Sequence, residues 1–165
     1  MKFGPIDTAK AEGAVLAHSI ALPSGRLRKG LRLEPAHLAA LRAEGIDSII
    51  VAQLASGDVD ENTAAAQVAQ AVLAAHPHLT MTRAFTGRVN LLADGPGVAQ
   101  LDVGALEALN AVHPMITLAT VPPFQQMAAG GMVATIKIIS YAVAQSDLAA
   151  ACDAGRAAIR LVPPQ

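Results

Sequence analysis

The chain has 165 residues and a formal net charge of −1, and 53% of its residues are hydrophobic but only 2% are aromatic. This length suits one domain or two small lobes, because domains cluster near about 100 to 150 residues. The lack of excess positive charge argues against a protein that grips a phosphate backbone, and the scarcity of aromatic side chains leaves few surfaces for base stacking. We therefore predict a small-molecule partner and no nucleic-acid partner.

Cysteine content and hydropathy predict a cytoplasmic protein without a membrane span. Cys152 is the only cysteine, so no disulfide can form within the chain, which suits a reducing compartment. Pro5 and Asp7 interrupt the start of the chain, which therefore lacks the apolar region of a secretory signal. Residues 108–136 carry no charged side chain, but prolines and glycines break that stretch, so no spanning helix of about 20 residues fits.

The first fifty residues predict a small unit of strands around one helix. An apolar run over residues 13–22 ends in the turn signal of residues 23–25, which is typical of a strand followed by a turn. Pro35 suits the first position of a helix and Gly45 suits its end. Residues 46–52 then predict another strand.

The middle of the chain alternates between predicted helices and strands. Asp60 is expected to cap a helix that runs to about His76, because apolar residues recur there at helical spacing. Residues 79–92 predict one or two strands around a bend at residues 86–88. After a turn at residues 94–97, Asp102 is expected to cap a short helix.

The last third is richest in strand signals. Residues 115–121 and 132–143 are apolar and rich in β-branched side chains, which predicts strands. Residues 159–162 predict a final strand, and its position at the terminus suggests a longer parent chain. Ser146 or Asp147 is expected to cap a last helix. Similar glycine-containing turns at residues 12–13 and 130–131 suggest that the two following strands meet in a barrel-like sheet.

These elements predict an α+β fold in two parts. Residues 1–55 and 113–165 are expected to form a β-rich, barrel-like lobe of mixed sheet with short helices. Residues 56–112 are expected to form a small flanking α/β lobe.

One polar cluster interrupts the apolar strands of the middle region, at residues 85–90. It combines a hydroxyl, a glycine, a guanidinium and an amide. The planar Arg88 guanidinium suits phosphate or carboxylate, and Gly87 would let backbone N–H groups approach such an anion. The alternative interpretation is a hairpin bend with a surface arginine.

Lys137 is the only charged residue between Glu107 and Asp147, and it stands in a predicted strand. It either points away from a half-buried sheet, where lysine discourages edge pairing, or faces a ligand. Together with the polar cluster it completes the predicted ligand-binding set, which consists of Thr86, Gly87, Arg88, Asn90 and Lys137.

No familiar catalytic signature is present. The chain lacks the glycine-rich phosphate loops, the serine nucleophile motif and the paired-histidine zinc motif. His76 and His78 could present a pair of metal ligands, but no third ligand is evident, so we expect no metal. The basic segment, which we define as Arg26, Arg28, Lys29 and Arg32, is either a solvated loop or a contact for phosphate.

Three stretches carry a family resemblance. Residues 2–19 contain Lys-Phe-Gly-Pro and Glu-Gly-Ala-Val-Leu-Ala-His-Ser, and residues 85–91 read Phe-Thr-Gly-Arg-Val-Asn-Leu. The third stretch is residues 116–139. Together they resemble the N-terminal region of bacterial molybdopterin-binding proteins of molybdenum-cofactor biosynthesis. These proteins are related to molybdopterin molybdotransferase, and some are fused to a cytidylyltransferase-like domain.

The resemblance implies a domain that helps to bind or cover a phosphorylated pterin, molybdopterin or its nucleotide adduct, or that forms a homodimer contact. It also implies a molybdopterin-binding domain following this region as a partner. The chain is not expected to be catalytic alone, although its parent protein would be a molybdenum-cofactor transferase. The competing interpretation is a structural or interaction module with no ligand of its own.

Overall fold

The computed structural model describes residues 1–165 and divides them into two compact units, residues 1–58 and residues 59–165. Both units combine helices with antiparallel strands, which confirms the predicted α+β class. The strands form several small sheets, and none of them closes into a barrel. No helix of the chain is long and apolar enough to cross a bilayer.

The first unit is a small sheet with one helix. Its central strand lies between two antiparallel neighbours, and a separate hairpin stands in sequence between these neighbours and the central strand. Side chains such as Leu41 and Val51 are fully buried in its core. The elements are β1 (Lys2–Asp7), a 3-10 turn (Thr8–Lys10), β2 (Val15–Leu16), β3 (Ile20–Leu22), β4 (Gly25–Leu27), α1 (Pro35–Ala43) and β5 (Ser48–Gln53).

The helix α1 begins and ends where local chemistry predicts. Pro35 occupies its first turn, where a missing N–H costs nothing. The backbone N–H of Glu34 donates to Nδ1 of His37, closing a capping box. Gly45 follows the helix with φ +75°, a conformation that costs glycine little.

The second unit packs three helices against two larger sheets. Its elements are β6 (Asp58–Asp60), which lies at the boundary, α2 (Glu61–Leu73), β7 (Leu79–Met81), β8 (Arg88–Ala93), β9 (Gly97–Leu101), α3 (Val103–Val112), β10 (Ile116–Thr120), β11 (Gln126–Met127), β12 (Met132–Ile138), β13 (Ala142–Ala144), α4 (Gln145–Ala154) and β14 (Ile159–Val162). The sheets have the strand orders β10-β12-β8-β7 and β11-β9-β14, and β13 pairs with β6.

The four-stranded sheet has one apolar face and one polar face. On β8, Val89 and Leu91 are fully buried, and on β12, Ile136 and Ile138 are as well. The helix α2 packs against these two strands. Because side chains alternate along a strand, the residues between these buried positions point to the other face of the sheet.

Two of the three predicted helix caps in this unit are confirmed. The Asp60 carboxylate accepts a hydrogen bond from the Thr63 N–H at 3.0 Å, and the Asp102 carboxylate accepts one from the Ala105 N–H at 3.1 Å. The third cap is wrong, because α4 begins directly after Ala144 and has no side-chain cap. The strand β13 runs straight into α4, so the helix starts earlier than Ser146 or Asp147.

The structure divides the chain differently from the sequence analysis. Residues 113–165 fall in the same unit as residues 59–112, because β12 pairs with β8 and α4 packs against α2 and α3. The single strand predicted over residues 132–143 is in fact two strands, since β12 ends at Ile138 and β13 starts at Ala142. The strands after residues 13 and 130 lie in different sheets, so the expected pairing is wrong.

Candidate functional site

Arg88 and Lys137 are direct cross-strand partners in the four-stranded sheet. Both side chains lie on the polar face, where Arg88 is exposed and Lys137 is half-buried. Residues directly opposite each other in an antiparallel pair have Cβ atoms about 4.5 to 5.5 Å apart. The register therefore brings together two cations that are 49 positions apart in the sequence.

Neither cation has a carboxylate partner. Three ion pairs within 4 Å join Met1 to Asp58, Lys10 to Asp7 and Arg156 to Asp153, and none of them includes Arg88 or Lys137. Like charges directly opposite each other in a sheet are destabilising. An anion placed between Arg88 and Lys137 would remove this repulsion and accept hydrogen bonds from both side chains.

Asn90 and Thr135 form the next cross-strand pair on the same face. The Thr135 hydroxyl donates a 2.8 Å hydrogen bond to the side-chain oxygen of Asn90, and this bond fixes the orientation of the amide. The Asn90 NH2 group is then free to donate to a ligand. We call Arg88, Asn90, Thr135 and Lys137 the cationic face.

Residues 85–88 form a tight hairpin turn next to the cationic face. The N–H of Phe85 donates to the carbonyl of Arg88 at 3.1 Å, and the N–H of Arg88 donates back at 3.0 Å. The two central residues, Thr86 and Gly87, have φ of +47° and +71°. Positive φ at both central positions is the geometry of the turns that fit twisted hairpins.

This turn is anchored from both sides of the sheet. The buried N–H of Gly87 donates to the Asn62 side chain on α2 at 2.8 Å, and the Gly87 carbonyl accepts from the Ile138 N–H at 2.8 Å. Lys137 donates from Nζ to the Thr86 carbonyl. A side chain at position 87 would meet the Glu61 carboxylate, so only glycine fits there.

The structure thus brings all five sequence-predicted site residues together, with different roles. Arg88, Lys137 and Asn90 present polar groups on the sheet face, and the exposed Thr86 lies in the adjoining turn. Sequence reasoning expected backbone N–H groups of the bend to reach a ligand, but the Gly87 N–H donates to Asn62. Gly87 contributes the shape of the turn.

Sequence reasoning missed Thr135 and Asn62. Thr135 lies two positions before Lys137, so strand alternation alone puts it on the same face. Asn62 gave no local signal, because its contact with Gly87 joins a helix to a hairpin that are 25 residues apart.

Another concave region lies beside the edge strand β10. It is a groove of about 390 Å³, bordered by α3 and by Pro122 and Pro123. The Asn110 side chain holds the backbone of Leu118 there, accepting from its N–H at 2.8 Å and donating to its carbonyl at 2.9 Å. The groove is mostly apolar and offers few groups that could recognise a small polar ligand.

The two histidines considered as metal ligands lie next to each other after the end of α2. The rings of His76 and His78 are 5.7 Å apart, and no group of three potential ligands exists in the chain. Burial, and then the neighbouring His78 and Arg160, lower the pKa of His76. The adjacent positive charge of Arg160 disfavours a cation at this place.

Comparisons with known proteins locate one family match. A model described as Domain of unknown function (DUF8806) matches residues 5–53. The match lies within the first unit and does not include the cationic face. Neither the curated proteins nor the solved structures contain a significant match to this chain.

Proposed function

We propose that this chain is the N-terminal domain of a cytoplasmic molybdopterin-binding protein of molybdenum-cofactor biosynthesis, and that its cationic face holds the phosphate of a phosphorylated pterin. The sequence resemblance suggests the pterin and the pathway. The physical support is the pairing of Arg88 with Lys137 across two strands, where neither side chain forms an ion pair with a carboxylate within 4 Å.

The cationic face has the composition that a phosphate requires. A guanidinium offers two parallel donors to phosphate oxygens, and an ammonium adds a compact positive charge. Asn90 and Thr135 add neutral polar groups at the next register position. The face is open and carries no nucleophile or acid–base pair, so we assign it binding or covering of the ligand and no bond-breaking step.

The remaining ligand contacts would come from the molybdopterin-binding domain that follows this region in the similar proteins. A single open sheet face buries little of a drug-sized ligand, whereas small-molecule sites bury about 70 to 90% of it. The affinity of this chain alone is therefore expected to be modest. A homodimer contact is a second way in which the face would be covered.

One observation favours the alternative, a structural module without a ligand. The turn at residues 85–88 uses its Gly87 N–H, its Gly87 carbonyl and one proton of Lys137 in internal hydrogen bonds. A hairpin that only needs to be rigid would show the same bonds. It would not require the exposed, unpaired Arg88.

Titration calorimetry with molybdopterin tests the proposal. The matched variants are Arg88→Ala and Arg160→Ala, since Arg160 is also an exposed strand arginine but lies on β14 in the other sheet. We expect saturable binding that Arg88→Ala weakens and Arg160→Ala leaves unchanged, with a loss of affinity as salt rises. Equal binding by both variants, or none by the wild type, would favour the structural module.

A further inference from the structure

Phe85 lies on the same face of the sheet as the two cations. It is the residue directly opposite Arg88, and the two exchange both backbone hydrogen bonds. Arg88 in turn is directly opposite Lys137. Residues opposite each other in an antiparallel sheet point to the same side. The register therefore places a phenyl ring, a guanidinium and an ammonium in one row across the sheet.

Phe85 is 71% exposed. The chain has only three phenylalanines, and all three are exposed, so none of them builds the core. Most of the Phe85 surface is therefore accessible to a ligand. A flat apolar surface beside a pair of unpaired cations is an arrangement that suits a ligand with a ring and a phosphate.

We infer that Phe85 is a stacking platform for the heteroaromatic ring of a ligand whose phosphate lies between Arg88 and Lys137. This inference rests on the proposed function and deepens it, because it names a residue that distinguishes ring-bearing phosphates from simple ones. The class of ligand is a phosphate monoester of a flat, fused heteroaromatic system.

The spacing across the sheet fits such a ligand. Adjacent strands lie about 4.8 Å apart, so the midpoint between Arg88 and Lys137 is roughly 7 Å from the chain position of Phe85. This distance matches a ring that is joined to its phosphate through a few single bonds. The low aromatic content of the chain disfavoured base stacking in general, but one exposed ring at the right place is sufficient.

The turn holds the platform in position. Phe85 and Arg88 close a hairpin whose central Gly87 is bonded to Asn62 and to Ile138. The backbone under the phenyl ring is thus fixed relative to β8 and β12. A fixed platform loses little conformational entropy when the ligand binds, which increases the contribution of stacking to affinity.

Calorimetry with two simple probes tests the inference. Ribose 5-phosphate supplies the sugar phosphate without a heteroaromatic ring, and guanosine 5′-monophosphate supplies the same sugar phosphate together with a fused heteroaromatic ring. The proteins are the full wild-type chain, Phe85→Leu and Phe124→Leu. Phe124 is the matched control, because it is 74% exposed and lies in a loop after β10.

In the wild type we expect the nucleotide to bind more tightly than ribose 5-phosphate by roughly 5- to 150-fold, the range that base–aromatic stacking supplies. Phe85→Leu should remove this preference and leave the affinity for ribose 5-phosphate unchanged, whereas Phe124→Leu should bind both probes like the wild type.

Two results would overturn the role of Phe85 while leaving the phosphate site intact. One is equal binding of the two probes by the wild type, and the other is a preference for the nucleotide that survives in Phe85→Leu. Absence of binding for both probes would overturn the cationic face as a phosphate site, and the stacking role with it. Circular dichroism of each variant checks that it is folded.

Discussion

Arg88 on β8 and Lys137 on β12 are directly opposite each other in the antiparallel sheet, and neither side chain lies within ion-pair distance of a carboxylate. Folding the chain brings these two positive charges together. The repulsion between them weakens the free protein slightly and would be removed by a bound anion. Stability and anion binding should therefore be linked at this place.

Replacing Arg88 by glutamine is expected to relieve the repulsion. In low-salt buffer without phosphate, Arg88→Gln should keep or raise the free energy of unfolding, by up to about 1 kcal/mol. Phosphate should then stabilise the variant less than it stabilises the wild type. Urea unfolding with and without phosphate measures both effects, and Arg160→Gln serves as the control. A clear loss of stability in phosphate-free buffer would show that Arg88 has a structural role.

Gly87→Ala is expected to destabilise the second unit strongly. The residue has φ +71°, and an added Cβ would lie 2.8 Å from both a Glu61 side-chain oxygen and the Ile138 carbonyl oxygen. Gly130→Ala is the matched control, because Gly130 has φ +76° but open space around it. The control should lose about 1 kcal/mol from backbone strain, and Gly87→Ala should lose more, roughly 2 to 4 kcal/mol. Equal losses would contradict the packing described for this turn.

Thr86→Asn is expected to stabilise the turn. Thr86 has φ +47°, which is unfavourable for a β-branched side chain, and asparagine followed by glycine is the preferred pair in this type of turn. The gain should be roughly 0.5 to 1 kcal/mol in the free energy of unfolding. Thr80→Asn on the exposed side of β7 is the control, and it should give no gain because asparagine is disfavoured in strands. A loss of stability in Thr86→Asn would mean that the threonine side chain has contacts that outweigh the strain.

His76 is expected to make the protein less stable as the pH falls below about 6.5. Burial lowers its pKa in the folded state, so the unfolded chain binds the proton more tightly. The free energy of unfolding should therefore decrease from pH 7.5 to pH 5.5, and His76→Gln should reduce the slope. The exposed His18, changed to glutamine, provides the comparison. An unchanged slope in His76→Gln would assign the pH dependence to other groups.

Local chemistry predicted where three of the helices begin or end. Asp60, Asp102 and Gly45 were recognised as helix caps because capping depends on neighbours within one turn of chain. The predicted cap of α4 was wrong because β13 runs directly into this helix and leaves no place for a polar cap. The small strands β9 and β11 were missed, since their partners lie far along the chain.

The candidate site was only partly visible in the sequence. Arg88 and Lys137 were each noticed as unusual charges, but their pairing depends on the register of β8 with β12, which is a tertiary property. The anchoring of Gly87 by Asn62 likewise joins distant segments. Phe85 was noted only as part of a polar stretch, because the direction of its ring follows from its pairing with Arg88.

The most direct test of the central claim is an NMR titration of the ¹⁵N-labelled chain with inorganic pyrophosphate at low salt. We expect chemical-shift changes to concentrate at residues 86–91 and 134–138 and to disappear in Arg88→Ala. Changes that concentrate at the basic segment of Arg26, Arg28, Lys29 and Arg32, or no changes at all, would contradict a phosphate site on the cationic face.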